Sequence, residues 1–299
     1  MTLIFGTVIK NIEGSIYNFH MFVSNIIKEL PDAHICIYEN NSTDKTCELL
    51  STLKNLSPNV HIKTDIFSHE ELLQKTIARC FENRPCRMEM ISNARNELLK
   101  MIAGIGYQDN DLIIMFDGDL RHIPIEPLIE CIKNFPDNVD AMFANGVKYD
   151  GYTYYDYYAL RYSEKPFGPE IIGEEFWKTI KNISISEIQP VISAFGGLGI
   201  YKGYCVRKSR YSAIPTQSLN VLYKNLFKKQ EYKQKLKTKD NETLGVYLFG
   251  QGEDDIFYLN NSGYNFPVVC EHSTFHADMF IQGYNRFIIM PKLKYYSNH

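Results

Sequence analysis

The sequence predicts an α/β fold: a mixed, mostly parallel central sheet with helices on both faces. Three observations carry this. Short apolar β runs alternate with helical periodicity over the first hundred residues, and parallel strands need such crossover helices. The most apolar run, Asp111 to Phe116, has the length of a buried central strand. A chain of 299 residues with 44% apolar and 22% charged positions can bury a large core.

Leu3 to Ile9 reads as the first strand, and Ile16 to Leu30 as a helix stopped by Pro31. Ala33 to Tyr38 is a second buried strand. Ser42-Thr43-Asp44 offers N-cap chemistry for a helix running through Leu53, and Val60 to Asp65 is a third strand. Ile91 to Ile105 is the next helix, with Asn93, Arg95 and Asn96 in its first turns, before the strand at 111–116. Beyond it the pattern is mixed. Ala141 to Val147 reads as a strand, residues 149–168 are dense in tyrosine, and Ser193 to Tyr201 is a glycine-rich turn entering a strand. The Lys-rich stretch 224–239 reads as a solvated helix or a lid.

A net charge of −3 argues against a nucleic-acid partner. The seven cysteines are scattered without a CxxC pair, which disfavours a zinc site or a disulfide framework. No apolar run reaches the ~18 residues of a membrane span, and the first nine residues read as strand rather than signal anchor. Asn40 to Thr43 holds two overlapping sequons at a strand end where a glycan would block a ligand. The expected compartment is therefore the cytoplasm, a host cytoplasm for a viral chain.

Open α/β sheets bind ligands at the carboxyl ends of their strands. Two acidic segments stand there. Asp117-Gly118-Asp119 follows the central strand, and two carboxylates flanking a glycine can reach one hard cation such as Mg²⁺ or Mn²⁺ beside a diphosphate. Glu39-Asn40-Asn41-Ser42-Thr43-Asp44 follows the second strand, where carboxylates can accept hydrogen bonds from a ribose or a base. Helix capping explains Asp44 equally well, and a solvated turn is the plain alternative for the Asp117–Asp119 pair. Further on, Gly252-Glu253-Asp254-Asp255 supplies carboxylates suited to a general base, or simply an acidic helix start. His272 and His276 are four apart, close enough to share a helix face.

Together these segments, with Ala94-Arg95-Asn96 before the strand, resemble the GT-A (Rossmann-like) class of nucleotide-sugar glycosyltransferases over residues 1–120. Arg87 with Ser92-Asn93-Ala94-Arg95-Asn96, and Tyr155-Asp156-Tyr157-Tyr158-Ala159-Leu160-Arg161, are similar to the fungal capsule-associated α-mannosyltransferase family, which does not by itself fix mannose as the sugar. The resemblance implies a single catalytic domain over 1–299, a nucleotide-binding lobe in 1–120 and an acceptor lobe with a C-terminal metal and lid segment in 121–299. It implies that Thr7, Glu39, Asp44, Arg95, Asp117 and Gly197 bind the nucleotide-sugar. Asp119, Asp117, His272 and His276 would hold Mn²⁺ or Mg²⁺, and Asp254, with Asp255 second, would act on the acceptor hydroxyl. Tyr155, Asp156 and Arg161 would contact the acceptor. The implied reaction passes a sugar from a nucleoside-diphosphate sugar, UDP foremost, to a glycan or protein hydroxyl. A sugar nucleotidyltransferase and a non-catalytic glycan-binding protein are the alternatives. The tyrosine surplus, 21 Tyr and 18 Phe against one Trp, is expected to line a carbohydrate cleft in part and the core otherwise.

Overall fold

The computed structural model describes residues 1–80, 83–180, 183–228, 246–249, 256–259 and 263–298. Strands β1 (Leu3–Ile9), β2 (His34–Asn40), β3 (Val60–Asp65) and β4 (Leu112–Phe116) form the first half of the sheet. Helices α1 (Ile16–Glu29), α2 (Thr46–Ser51), α3 (His69–Gln74) and α4 (Arg87–Ile105) lie between them. There follow β5 (Leu120–His122), α5 (Ile125–Lys133), β6 (Ala141–Val147), α6 (Pro169–Ile172) and α7 (Glu174–Thr179). Next come β7 (Gln189–Val191), β8 (Leu198–Lys202), α8 (Gly203–Arg207) and α9 (Gln217–Phe227). The chain closes with the β9–β10 hairpin (Val246–Phe249, Ile256–Leu259), α10 (Glu271–Ile281) and β11 (Phe287–Ser297).

The strands run in the order β3-β2-β1-β4-β8-β6-β11-β5, with β7 pairing on β11. The β3-β2-β1-β4 half is parallel, as is β6 with β11, while β8 runs antiparallel to both β4 and β6. The mixed α/β sheet matches the sequence expectation. β1 has β2 on one side and β4 on the other, so chain connections leave it in opposite directions. That is a switch point, and a crevice opens there at the carboxyl ends of the strands.

Both faces are covered, as alternation along each strand requires. Phe5, Ile114 and Phe116 pack with Phe19, Phe22 and Val23 of α1 in one cluster. Ile4, Ile113 and Met115 pack with Leu98 and Ile102 of α4 and Phe275 of α10 in the other. Among the described residues no helix is long and apolar enough to cross a membrane. All seven cysteines are free.

Two boundaries differ from the sequence expectation. α4 begins at Arg87 instead of Ile91. Its extra turn is anchored from outside, because the buried Glu89 carboxylate accepts the amides of Ile77 (2.9 Å) and Ala78 (2.7 Å). α2 begins only at Thr46, because the polar run before it is engaged by the loop after β1. Asn11 N–H donates to Ser42 Oγ (3.0 Å), Glu13 N–H to Asp44 Oδ2 (3.0 Å), and Thr43 N–H to Asn11 Oδ1 (2.8 Å).

Candidate active site

A cleft of about 620 Å³ opens at the switch point. Its floor is the turn after β4. Gly118 is required there: a Cβ would stand 2.3 Å from Cγ2 of Ile9 at the end of β1. The tight turn sets Asp117 and Asp119 on the cleft together. Asp117 N–H donates to the Gly197 carbonyl at 2.9 Å, which ties the turn to the glycine loop before β8. Gly197 itself has φ of +84°, and a Cβ would meet the Tyr295 ring at 2.3 Å. The smallness of this glycine serves that packing rather than the approach of a sugar, and Gly197 is not among the cleft-lining residues.

One wall is α4. Arg95 is almost fully buried, yet reaches the cleft. Its Nη2 donates to Asp117 Oδ1 at 3.0 Å and its Nε lies 3.4 Å from Glu271 Oε1. The guanidinium sits over the rings of Phe195 (5.0 Å) and Tyr211 (5.5 Å). Its Nη1 is buried without a hydrogen-bond partner. A buried guanidinium with an idle donor beside a cleft suits an anionic oxygen. Burial pushes the Asp117 carboxyl up to about 6; Arg95 opposes the rise and the Asp119 charge adds to it.

The opposite wall comes from residues 155–158 and from the start of α10. Tyr155 O–H donates to Asp117 Oδ2 at 3.4 Å, and its ring stacks on Tyr295, whose O–H donates to Asp119 Oδ1 at 3.5 Å. Asp156 lines the cleft next to it. Burial, then the charges of Asp117 and Glu271, holds its carboxyl well above the usual range. His272 also lines the cleft, stacked on Phe195 at 4.0 Å with Nε2 3.6 Å from Glu271 Oε1. Burial and the Arg95 charge push its imidazole well below the ordinary value, so it is neutral.

Arg95, Asp117, Asp119, Tyr155, Asp156 and His272 thus come together as the sequence implied. Others do not reach the cleft. Glu39 is fully buried; Oε1 accepts Ser42 N–H (2.8 Å) and Oε2 accepts the Cys47 thiol (3.1 Å), so it holds the turn and Asn40 lines the cleft. Asp44 holds the turn before α2, accepting the amides of Glu13 and Thr46 at 3.0 Å each. Thr7 is buried within β1. Arg161 is buried against Glu170 and donates to the Tyr158 and Leu160 carbonyls, which removes it from any acceptor. His276 lies in the core with both ring nitrogens engaged, by Ser193 Oγ (2.8 Å) and Tyr201 O–H (3.2 Å), and has no lone pair left for a metal. Asp254 and Asp255 lie outside the described residues, as does most of the Lys-rich stretch.

Of the tyrosines at 149–162, Tyr155 and Tyr158 line the cleft, Tyr154 is buried, and Tyr149 and Tyr152 are exposed. Sequence reasoning assigned no role to Glu271, and Lys10 and Asn11 on the rim were also missed. The one available signal for Glu271 was an acid at the start of a helix directly before His272.

The family model described as Cryptococcal mannosyltransferase 1 matches residues 9–203, well over half of the chain. No curated protein matches by sequence. Among solved structures, S. aureus TarS aligns over 100% of this chain and 37% of its own, with 11% identity and a TM-score of 0.51. Its 1–349 fragment aligns over 99% and 60%, with 11% identity and a TM-score of 0.49. Glucosyl-3-phosphoglycerate synthase from Mycobacterium tuberculosis, in complex with Mg²⁺ and UDP, aligns over 50% and 44%, with 13% identity and a TM-score of 0.30. The chain therefore spans 60% or less of each of these proteins, and at such identity the first of them speaks for the fold alone. The family match is the stronger finding, and it coincides with the stretch that carries Arg95, the Asp117–Asp119 turn and Asp156: the chain belongs to the Cryptococcal mannosyltransferase 1 family, and with it to the glycosyltransferases.

Proposed function

We propose that the chain transfers a hexose from a nucleoside-diphosphate sugar to a hydroxyl of a glycan, with its donor diphosphate lying against Arg95 and the Asp117–Asp119 turn. The observation that carries this is the buried Arg95, which shares one cleft with the acidic turn, pairs with Asp117 through Nη2 and keeps Nη1 without a partner. The family's name makes mannose the first sugar to test, and UDP and GDP are both nucleotides to test.

Among the described residues no group of three or more His, Cys, Asp and Glu side chains is placed to hold a metal by itself. A donor set of Asp119 and Asp117 still fits Mg²⁺ or Mn²⁺, because such ions take one or two carboxylates and complete their shell with phosphate oxygens and water. A bound cation supplies Lewis-acid neutralisation of the leaving diphosphate. The chain's own residues do the rest. Arg95 contributes fixed positive charge in a dry setting, where it is worth far more than in water. Glu271 pairs with the guanidinium Nε, and Lys10 and Arg87 add exposed positive charge on the cleft lining. Asn40 stands where β2 meets the cleft, suited to a polar edge of the nucleoside.

Calorimetric titration of UDP and GDP, with and without Mn²⁺, tests the reading, followed by a screen of UDP- and GDP-sugars for turnover. Binding should require the cation in the wild type and be lost in Asp119→Ala. No binding of either nucleotide, or equal binding by the variant, would overturn it.

A further inference from the structure

Trp177 is the chain's one tryptophan, and it stands beside the cleft without lining it. Two overlapping turns, closed by Ala159 N–H on the Asp156 carbonyl and Leu160 N–H on the Tyr157 carbonyl at 3.1 Å each, present Tyr157 and Tyr158 to the same indole. Tyr158 stacks on it with centroids 6.0 Å apart and planes 18° apart, and Tyr157 meets it edge to face at 6.1 Å. α7 supplies the indole. Phe176 is buried and touches the Trp177 ring at 4.9 Å, whereas Trp177, one position on, is only half-buried. Tyr158 lines the cleft next to Asp156, but Tyr157 and Trp177 do not. The rings therefore form a shelf that starts at the cleft wall and continues beyond it.

The polar groups along this shelf are not spent on the fold. An indole N–H finds a partner when it is buried for packing alone. That of Trp177 makes no hydrogen bond among the described residues and is open to solvent. The Tyr157 hydroxyl oxygen accepts the Lys148 ammonium at 3.0 Å, which leaves the hydroxyl's own proton free to donate. The same ammonium lies 4.5 Å from the Tyr157 ring centroid and fixes that ring in place. Stacked apolar rings edged by N–H and O–H donors match a pyranose, whose C–H face rests on a ring while its hydroxyl oxygens accept from the edge. A purely apolar partner would strand those donors without hydrogen bonds.

Resting on the glycosyltransferase reading above, we propose that Tyr157, Trp177 and Lys148 form an outer acceptor subsite, which holds the sugar next to the one that receives the new hexose. The acceptor is then an oligosaccharide of two or more units, because only a unit beyond the one in the cleft gains from the shelf. This contact is the same before and during transfer, so it serves affinity and length preference rather than the chemical step.

Trp177 reports on its own subsite, because no other indole contributes to emission excited beyond the tyrosine band. The full chain, with Mn²⁺ and UDP or GDP present, is titrated with methyl α-mannoside, α-mannobiose and α-mannotriose, and with methyl β-glucoside, cellobiose and cellotriose. In one series the longer sugars should bind about tenfold more tightly than the monosaccharide and shift the Trp177 emission as they bind. Calorimetry then follows the variants, with thermal midpoints as the check on folding. Trp177→Leu should abolish the advantage of the longer sugars. Tyr157→Phe keeps the ring, removes one donor and should lower the advantage about threefold. Tyr152→Ala, at an exposed ring outside the shelf, should keep it. Should Trp177→Leu fail to fold, Tyr157→Phe decides alone. No advantage of the longer sugars in either series, an advantage that survives the shelf variants, or binding that leaves the emission unmoved overturns the proposal. A wild type that binds neither nucleotide sinks the glycosyltransferase reading itself, whereas nucleotide binding without any preference for longer sugars sinks only the shelf.

Discussion

Arg95→Met deletes the cation that Asp117 and Glu271 share across the cleft. Removing one partner of a buried pair costs about 3–5 kcal/mol, because the remaining charge stays in a poorly solvated place. The Asp117 side chain is 19% exposed, so water offsets part of this and the low end, about 3 kcal/mol, is expected. Unfolding entropy near 2.1 cal/mol/K per residue gives roughly 0.6 kcal/mol/K for a chain of 299 residues, so the midpoint should fall by about 5 °C. Adding Glu271→Gln neutralises one stranded carboxylate, and the coupling should return about 1–2 kcal/mol, or about 2–3 °C. The assay is thermal unfolding of the nucleotide-free protein at pH 7.5, followed by circular dichroism, for wild type, both single variants and the double. The same proteins titrated with Mn²⁺ and nucleoside diphosphate should show affinity reduced by about 10²-fold wherever Arg95 is missing. The reasoning fails if Arg95→Met melts within about 1 °C of wild type, or if the double variant melts no higher than Arg95→Met.

Gly118→Ala places a methyl group 2.3 Å from Ile9 Cγ2 and should destabilise by about 1–3 kcal/mol, with Ile9→Ala restoring most of it; a double variant no more stable than Gly118→Ala excludes that contact as the cause. His276 gives a pH prediction. Burial lowers its imidazole to about 3, so the folded protein keeps it neutral while the unfolded chain takes up a proton below about 6.5. Its contribution is full above pH 6.5 and is lost as pH falls toward 3, by about 2 kcal/mol at pH 5. His276→Gln should flatten the acid side of the stability profile by that amount and leave the Mn²⁺ response of nucleotide binding intact; a lost Mn²⁺ response would return His276 to the metal site.

The parts of this molecule that were legible in the sequence are those fixed by near neighbours. β1 and β4 declare themselves by apolar runs, and the Asp117–Asp119 turn by its place after the second of them. Arg95 was legible through its local Ala-Arg-Asn setting. The failures share a cause. Glu39, Asp44 and Arg161 have residue types that bind ligands, but the protein's own groups take up each of them: Ser42 and Cys47 on Glu39, Glu13 and Thr46 on Asp44, and Glu170 on Arg161. His272 and His276 do fall on one helix at the expected spacing. Yet α10 is buried nearly all round, so a shared face did not mean a shared environment. The tyrosine surplus divides similarly, since ring content fixes neither which rings stack on Trp177 nor which open to the cleft.

Glu271 acts across a sequence separation that no local pattern spans, and it shows how the site is organised. Its carboxylate holds Arg95, and Arg95 holds Asp117. A helix near the end of the chain therefore sets the geometry of an acidic turn in the first half. The glycine loop does the same through the Gly197 carbonyl on Asp117 N–H, and β11 through Tyr295 on Asp119. These ties, and the Tyr155 hydroxyl on Asp117, all reach the acidic turn from beyond residue 120. Residues 1–120 hold the parallel half of the sheet and the acidic turn, and the later segments orient that turn. Released from Glu271, Arg95 would have no second anchor, and a guanidinium costs rotamer entropy each time it is ordered. The two halves of the sheet are thus halves of one cleft, and the placing of its Arg95 wall depends on segments from the second half.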